Sequence, residues 1–344
     1  MLEHAQTQQL NQIAKRLVEP GKGILAADES NATIEKRLAK INVPSTEENR
    51  RSYREMLFTT KGIREYISGV ILYEETIMQS THVGVTFVKT LEDAGVMAGI
   101  KIDQGTKEME GSANEKVTKG LDGLADRLKK FQALGAKFAK WRAVITIGQG
   151  LPTRSNIVQN AKDLAQYALV CQQVGVVPIV EPEVLMDGAH DMARCEEVSQ
   201  QVLEAVFEQM AAAGVALEGM ILKTNMVVPG KESGQKATSA EIAEATLRLF
   251  ESELPPTLPG QAFLSGGQSE VEATANLNEM AKRGPFAWNL SFSYGRALQD
   301  SALKTWAGKP ENVAAAQKGL LHRAKMNSLA TLGKYSDAAE QKAE

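Results

Sequence analysis

Gly23-Ile24-Leu25-Ala26-Ala27-Asp28-Glu29-Ser30 decides the fold of this chain. A short apolar run of strand length passes straight into Asp-Glu-Ser, with no G-x-G-x-x-G turn. Similar runs recur near Val70–Glu75, Ala98–Asp103, Phe138–Ile145, Val176–Glu183, Met220–Met226, Phe263–Gly266 and Leu290–Tyr294. Helical patterns lie between them: Leu121–Leu134 stops at Gly135, Ile157–Val174 at Gly175, and Met192–Ala213 at Gly214. Glycine just past a helix takes the left-handed cap conformation without strain, so each stop is credible. Ser45-x-x-Glu48, Thr238-x-x-Glu241 and Ser269-x-x-Glu272 fit the capping box that opens a helix. Strands alternating with helices pair in parallel. Eight units fit a closed (β/α)8 barrel of the TIM type. An open doubly wound sheet usually carries a glycine-rich turn after its first strand, which is absent at Asp28-Glu29-Ser30. We therefore expect an α/β protein with one barrel domain over 1–344, a helical extension over 1–20 and a flexible tail over 336–344.

Composition narrows the function. With 43% hydrophobic and 24% charged residues, the 344-residue chain can bury a large core without disulfide or metal staples. Its net charge of -3 offers no basic footprint for nucleic acid. It has no apolar run of membrane-spanning length, and MLEHAQTQQL at the start lacks a signal-peptide core. Cys171 and Cys195 have neither metal-like nor redox-like spacing, which fits a reducing compartment. His4, His82, His190 and His322 form no H-x-H or H-x-x-x-H pair, which weakens zinc and Ser-His-Asp readings.

Charges collect where the strands should end, and that end of a (β/α)8 barrel carries the site. They are Asp28, Lys101 and Asp103, Lys140 and Arg142, Glu181 and Glu183, Lys223, and Arg296. Strand alternation puts Lys140 and Arg142 on one face, and Glu181 and Glu183 on one face. Singly, each fits a structural ion pair. Together they bring several lysines to one end, and lysine has a particular use. Its neutral amine adds to a ketone to form an imine that draws off electrons. The unperturbed pKa is about 10.4, which burial and a neighbouring cation lower. Lys223, in Met220-Ile221-Leu222-Lys223, is the expected nucleophile; Lys140 competes, and spacing does not separate them. No histidine lies in these segments, so Glu181, Glu183 and Asp28 are left for proton transfer.

Anion recognition is the second theme. Leu264-Ser265-Gly266-Gly267-Gln268-Ser269 follows the seventh run and opens a capped helix, and Ser293-Tyr294-Gly295-Arg296 follows the eighth. These loops often bind phosphate through bare amides and a helix N-terminus. Arg37, Arg50 and Lys101 could hold a second anionic group. Trp141 should point away from Lys140 and Arg142 toward the helices. The charged run Lys107–Glu115 reads as a solvated loop, and His190 as part of a turn.

From about Ile13 to Tyr335 the chain closely resembles class I fructose-1,6-bisphosphate aldolase. The likeness is carried by Gly23–Ser30, Thr46-Glu47-Glu48-Asn49-Arg50-Arg51, Phe138-Ala139-Lys140-Trp141-Arg142, Ile179-Val180-Glu181-Pro182-Glu183, Phe263–Ser269 and Phe292-Ser293-Tyr294-Gly295-Arg296. The resemblance implies reversible cleavage of fructose 1,6-bisphosphate to dihydroxyacetone phosphate and glyceraldehyde 3-phosphate, in glycolysis and gluconeogenesis. It implies Lys223 as the Schiff-base lysine, Glu181 as the main acid/base, and Asp28 as acceptor of the C4 hydroxyl proton. Lys140 and Glu183 would tune the site. Ser265, Gly266, Gly267, Gly295 and Arg296 would hold the C1 phosphate, and Ser293 would contact the sugar. Arg37, Lys101 and Arg142 would serve the other phosphate end or orient the chain, with Thr33 and Arg50 nearby. It further implies a cytoplasmic homotetramer with no metal or cofactor, and no nucleic-acid or membrane partner.

The chain departs from the family pattern at three places. Leu-Lys-Pro-Asn-Met appears here as Leu222-Lys223-Thr224-Asn225-Met226, which restores an N–H and frees φ. Thr33 stands for a family serine and keeps the hydroxyl. Many relatives finish in a tail with a terminal tyrosine that assists proton exchange. This sequence ends Gln341-Lys342-Ala343-Glu344, and its last tyrosine is Tyr335, so that role is expected to be missing or carried by another group.

Overall fold

The computed structural model describes residues 4–341. Its strands are β1 (Gly23–Ala27), β2 (Ile67–Leu72), β3 (Met97–Lys101), β4 (Thr106–Glu108), β5 (Lys116–Thr118), β6 (Phe138–Ile145), β7 (Val177–Val184), β8 (Ile221–Thr224), β9 (Gly260–Phe263) and β10 (Asn289–Tyr294). Eight of them close a parallel barrel in the order β1-β10-β9-β8-β7-β6-β3-β2, and β4 and β5 form a separate antiparallel hairpin. Helices ring the barrel, so the expected (β/α)8 architecture is correct.

Barrel strands are buried on both faces, and alternation sorts their residues into two layers. Ile24, Ala26, Ile71, Met97, Phe138, Val177, Ile179, Ile221 and Ala262 fill the interior toward the strands' N-terminal ends. The helix His4–Leu17 closes that end, adding Leu10, Ala14 and Leu17, with Val18 just beyond. The alternate residues, such as Leu25, Ala139, Trp141 and Leu222, pack outward against the helices. Trp141 is fully buried there and stacks on Tyr167 of the helix Arg154–Val174, as its place in the alternation predicts. Phe138 fits inside only because Gly99 faces it: a Cβ on Gly99 would lie 2.2 Å from its ring.

Gly175 and Gly214 cap their helices at φ 84° and 75°, as read from the sequence. The capping boxes at Thr238 and Ser269 form in full. The one at Ser45 does not. Thr46 turns back on Pro44 and caps Asn49 at 3.1 Å, while Glu48 pairs with Arg51 instead. The seventh barrel strand lies earlier than Phe263–Gly266. Pairing ends as the Leu264 amide bonds the Thr224 carbonyl, and Gly266 turns away at φ +55°. The run Lys107–Glu115 is no simple solvated loop. It enters the β4–β5 hairpin, and buried Glu115 accepts from the amide and hydroxyl of Thr153, both at 2.7 Å. Within the expected helical extension, residues 4–17 are helical. Within the expected tail, Asp337–Glu340 form a short helix whose Glu340 pairs with Arg323. The remaining expectations for 1–3 and 342–344 lie outside the described residues. Among the described residues no helix is long and apolar enough to cross a membrane.

Candidate functional site

Following each strand upward, the interior changes from apolar to charged. Inward residues read Phe138, Lys140, Arg142 on β6; Val177, Ile179, Glu181, Glu183 on β7; and Ile221, Lys223 on β8. The switch falls where the barrel opens into a cavity of about 420 Å³. Lys140, Glu181 and Lys223 at its floor are 4%, 3% and 4% exposed, so their charges must be compensated within the protein.

They are compensated by one connected chain. Lys140 Nζ lies 2.7 Å from Asp28 Oδ2 and 3.3 Å from Glu181 Oε2. Lys223 Nζ lies 3.0 Å from Glu181 Oε1. The two lysines are therefore not equivalent: Lys140 is held between two carboxylates and Lys223 faces one. Burial opposes the charge on Lys140, but Asp28 and Glu181 outweigh it and push its pKa up. Burial also opposes the charge on Asp28, yet Lys140 and Lys223 hold its carboxyl at about 2. Glu181 is held below the usual carboxylate range against burial, by Lys140, Lys223 and Arg142. Arg142 pairs with Glu183, and Lys101 with Asp103. Lys223 stands level with Ala262 on β9, whose small side chain leaves room beside the amine.

The rim is built from loops and helix starts. Ser265, Gly266, Ser293, Gly295 and Arg296 line the cavity. Arg296 donates to the Gly266 carbonyl at 2.9 Å, tying the two glycine loops together. The Ser293 hydroxyl, 1% exposed, has no hydrogen-bond partner among the described residues. Buried hydroxyls are nearly always bonded, so an orphan facing a cavity points to a ligand. On the β1 side lie Thr33, Arg37 and, across from them, Lys101. Arg37 lies beside Gly295, its Nη2 3.4 Å from where a Cβ would stand.

Of the residues read from the sequence, Asp103, Gly267 and Arg50 do not line this cavity. The Gly267 amide faces the sulfur of Met186 at 2.6 Å. Arg50 is engaged by Glu75, at 2.8 Å through Nε, and by the Ser45 carbonyl. Ser30, Lys36 and Lys40 line it unannounced. The signal for the two lysines was the helical spacing of Thr33, Lys36 and Arg37 on the helix Asn31–Ala39, continued by Lys40 at its C-cap; Ser30 is its N-cap. Arg54 was also missed: fully buried, it donates to the Glu29 carbonyl at 3.0 Å, and Glu29 in turn pairs with Arg37.

A buried amine beside a carboxylate, under a rim of cations and bare amides, suits covalent chemistry on a carbonyl compound carrying anionic groups. Residues 9–344 match the family model described as fructose-bisphosphate aldolase class-I, glycolytic. The chain is 54% identical over 322 residues to the cytosolic fructose-bisphosphate aldolase 4 of Arabidopsis thaliana, covering 93% of this chain and 82% of that one. It is 52% identical over 347 residues to fructose-bisphosphate aldolase 2 of Caenorhabditis elegans, covering 100% and 94%. The fold is similar to the Plasmodium falciparum fructose-bisphosphate aldolase solved in complex with TRAP and a small-molecule inhibitor. That match has a TM-score of 0.96 and 50% identity, covering 97% of each chain.

Proposed function

The chain belongs to the class-I fructose-bisphosphate aldolase family, and on that premise we propose that Lys223 is the amine through which it works. The activity is that of a lyase: reversible cleavage of fructose 1,6-bisphosphate to dihydroxyacetone phosphate and glyceraldehyde 3-phosphate, in glycolysis and gluconeogenesis. The observation that carries the assignment is the asymmetry of the two buried lysines. Lys140 is fixed as a cation between Asp28 and Glu181, whereas Lys223 needs only to pass one proton to Glu181, 3.0 Å away.

That transfer leaves a neutral amine and a protonated Glu181. The amine adds to the C2 ketone, and a proton moves from nitrogen to oxygen to give a carbinolamine. Glu181 returns its proton to the departing hydroxyl, water leaves, and a cationic imine forms. Asp28, ionised at neutral pH, accepts the C4 hydroxyl proton. The C3–C4 electron pair flows into the imine, releasing glyceraldehyde 3-phosphate and leaving a neutral enamine. Protonation at C3 and hydrolysis release dihydroxyacetone phosphate and free Lys223. Lys140 stabilises the ionised states of Asp28 and Glu181, and Glu183 holds Arg142 at the mouth.

Ser265, Gly266, Gly295 and Arg296 take the C1 phosphate, with Arg37 beside them and Ser293 on the sugar. Gly267 joins them once its amide leaves Met186. Lys101 and Thr33 take the other phosphate, with Arg142 orienting the chain between. The reading extends to one barrel domain, a homotetramer and a cytoplasmic location, the last supported by relatives named cytosolic or cytoplasmic. Borohydride reduction in the presence of dihydroxyacetone phosphate tests the assignment. The triose mass is expected on the peptide carrying Lys223; a tag on Lys140, or none, overturns it.

A further inference from the structure

The seam between β7 and β8 carries Glu181 on one side and Lys223 on the other, yet its backbone pairing stops below them. Register partners end at Val180 and Leu222, whereas β6 and β7 stay paired through all eight residues. The cause is in the sequence. Val177 and Leu185 donate their amides to Lys137 and Ile145, so odd-numbered amides of β7 face β6. Even-numbered amides face β8, and two of those four positions, 178 and 182, are prolines with no N–H. Above Val180, the only amide left on that edge is Val184. It is taken by a side chain: Asn225 Oδ1 accepts it at 3.0 Å.

Asn225 is 5% exposed and fully engaged. Its Nδ2 donates to Ser199 Oγ at 3.2 Å on the helix Met192–Ala213, and to the Met226 carbonyl at 3.1 Å. Thr224 supports the same oxygen: its hydroxyl donates to Asn225 Oδ1 at 3.2 Å, while its 3.4 Å approach to the Pro182 carbonyl is long for such a bond. We infer that Asn225 is a positioning residue for the aldol reaction: its amide ties the two strands together at Val184, just beyond the break that Pro182 makes in the ladder, and sets the gap between Glu181 and Lys223. The inference rests on the roles proposed for those two residues. Asn225 touches neither partner of the proton transfer, and it acts through strand separation. A proton passed across 3.0 Å is sensitive to that separation, whereas phosphate contacts on the other loops are not.

Asn225→Ala tests this, with Ser199→Ala removing only the anchor on the helix. With folding checked by circular dichroism, kcat of Asn225→Ala should fall ~10- to 100-fold, the scale of a misplaced reacting pair. Borohydride trapping on Lys223 should slow in parallel. Inhibition by inorganic phosphate should stay within about threefold of the parent, because its loops are not touched. Ser199→Ala should lower kcat by a few-fold with the same split. A folded Asn225→Ala protein with parental kcat and trapping rate overturns the inference, as does phosphate inhibition weakening in step with kcat. If Asn225→Ala does not fold, Ser199→Ala with parental kcat overturns it. Failure of the parent enzyme to trap on Lys223 would instead overturn the proposed chemistry.

Discussion

Replacing Lys140 with methionine removes the cation that bridges Asp28 and Glu181 and leaves the volume nearly unchanged. Both carboxylates then remain at the barrel floor with Lys223 alone beside Glu181. Breaking a buried pair by deleting one partner costs about 3–5 kcal/mol, because a charge is stranded. An independent figure comes from Asp28. Its pKa falls from 3.8 to about 2 on folding, and that difference is worth about 2 kcal/mol. The sign follows from linkage. A depressed folded pKa gives stability that is present above 3.8 and is lost as pH falls through about 2. In the variant, both contributions of Lys140 are gone while burial remains, with only Lys223 and Lys101 to oppose it, so the Asp28 carboxyl rises and this contribution is lost. Urea unfolding, followed by tryptophan fluorescence, should show Lys140→Met destabilised by about 3–5 kcal/mol at pH 7. Between pH 4 and 2 the parent should lose about 2 kcal/mol more than the variant. Adding Asp28→Asn should recover part of the loss, with a coupling energy of about 1–3 kcal/mol. A variant within about 1 kcal/mol of the parent at pH 7, with the same acid dependence, would refute the reasoning.

Two further expectations are simpler. Gly99→Ala should destabilise the barrel by about 1–3 kcal/mol in the same assay, since its methyl group would enter the Phe138 ring; a neutral result would mean that the ring can move aside. Light scattering should return four times the monomer mass at micromolar concentration, and a monomer there would contradict the proposed homotetramer.

The barrel was legible because its strands are apolar on both faces and its helices end in glycine. Residues 138–145 and 192–213 fall on the observed bounds for that reason. Lateral pairing was not legible. Whether Ser45 or Thr46 caps a helix depends on a local turn at Pro44, and both residues offer the same hydroxyl. Glu115 looked solvated because nothing nearby in sequence shows that Thr153 will supply two donors to it. The charged floor was visible as lysines and carboxylates at strand ends. Its wiring was not, since the difference between Lys140 and Lys223 lies in which carboxylates each one meets. The pairing of Arg50 was hidden for the same reason: its partner is a carboxylate 25 residues away.

The division of labour between the two lysines follows from geometry that neither could produce alone. A single amine facing both Asp28 and Glu181 would be a cation too well paired to attack a ketone. Two amines with one carboxylate between them give a graded arrangement. Lys140 takes Asp28 and half of Glu181, and Lys223 keeps the other half. Glu181 can then accept a proton from Lys223 without losing compensation, because Lys140 still holds Asp28. Each partner sits on a different barrel strand or strand end, so the distances are set by strand separation and by whatever fixes the seams. At the β7–β8 seam the backbone gives up that task at Pro182, and the Asn225 amide pins the seam two residues further on, at the Val184 amide.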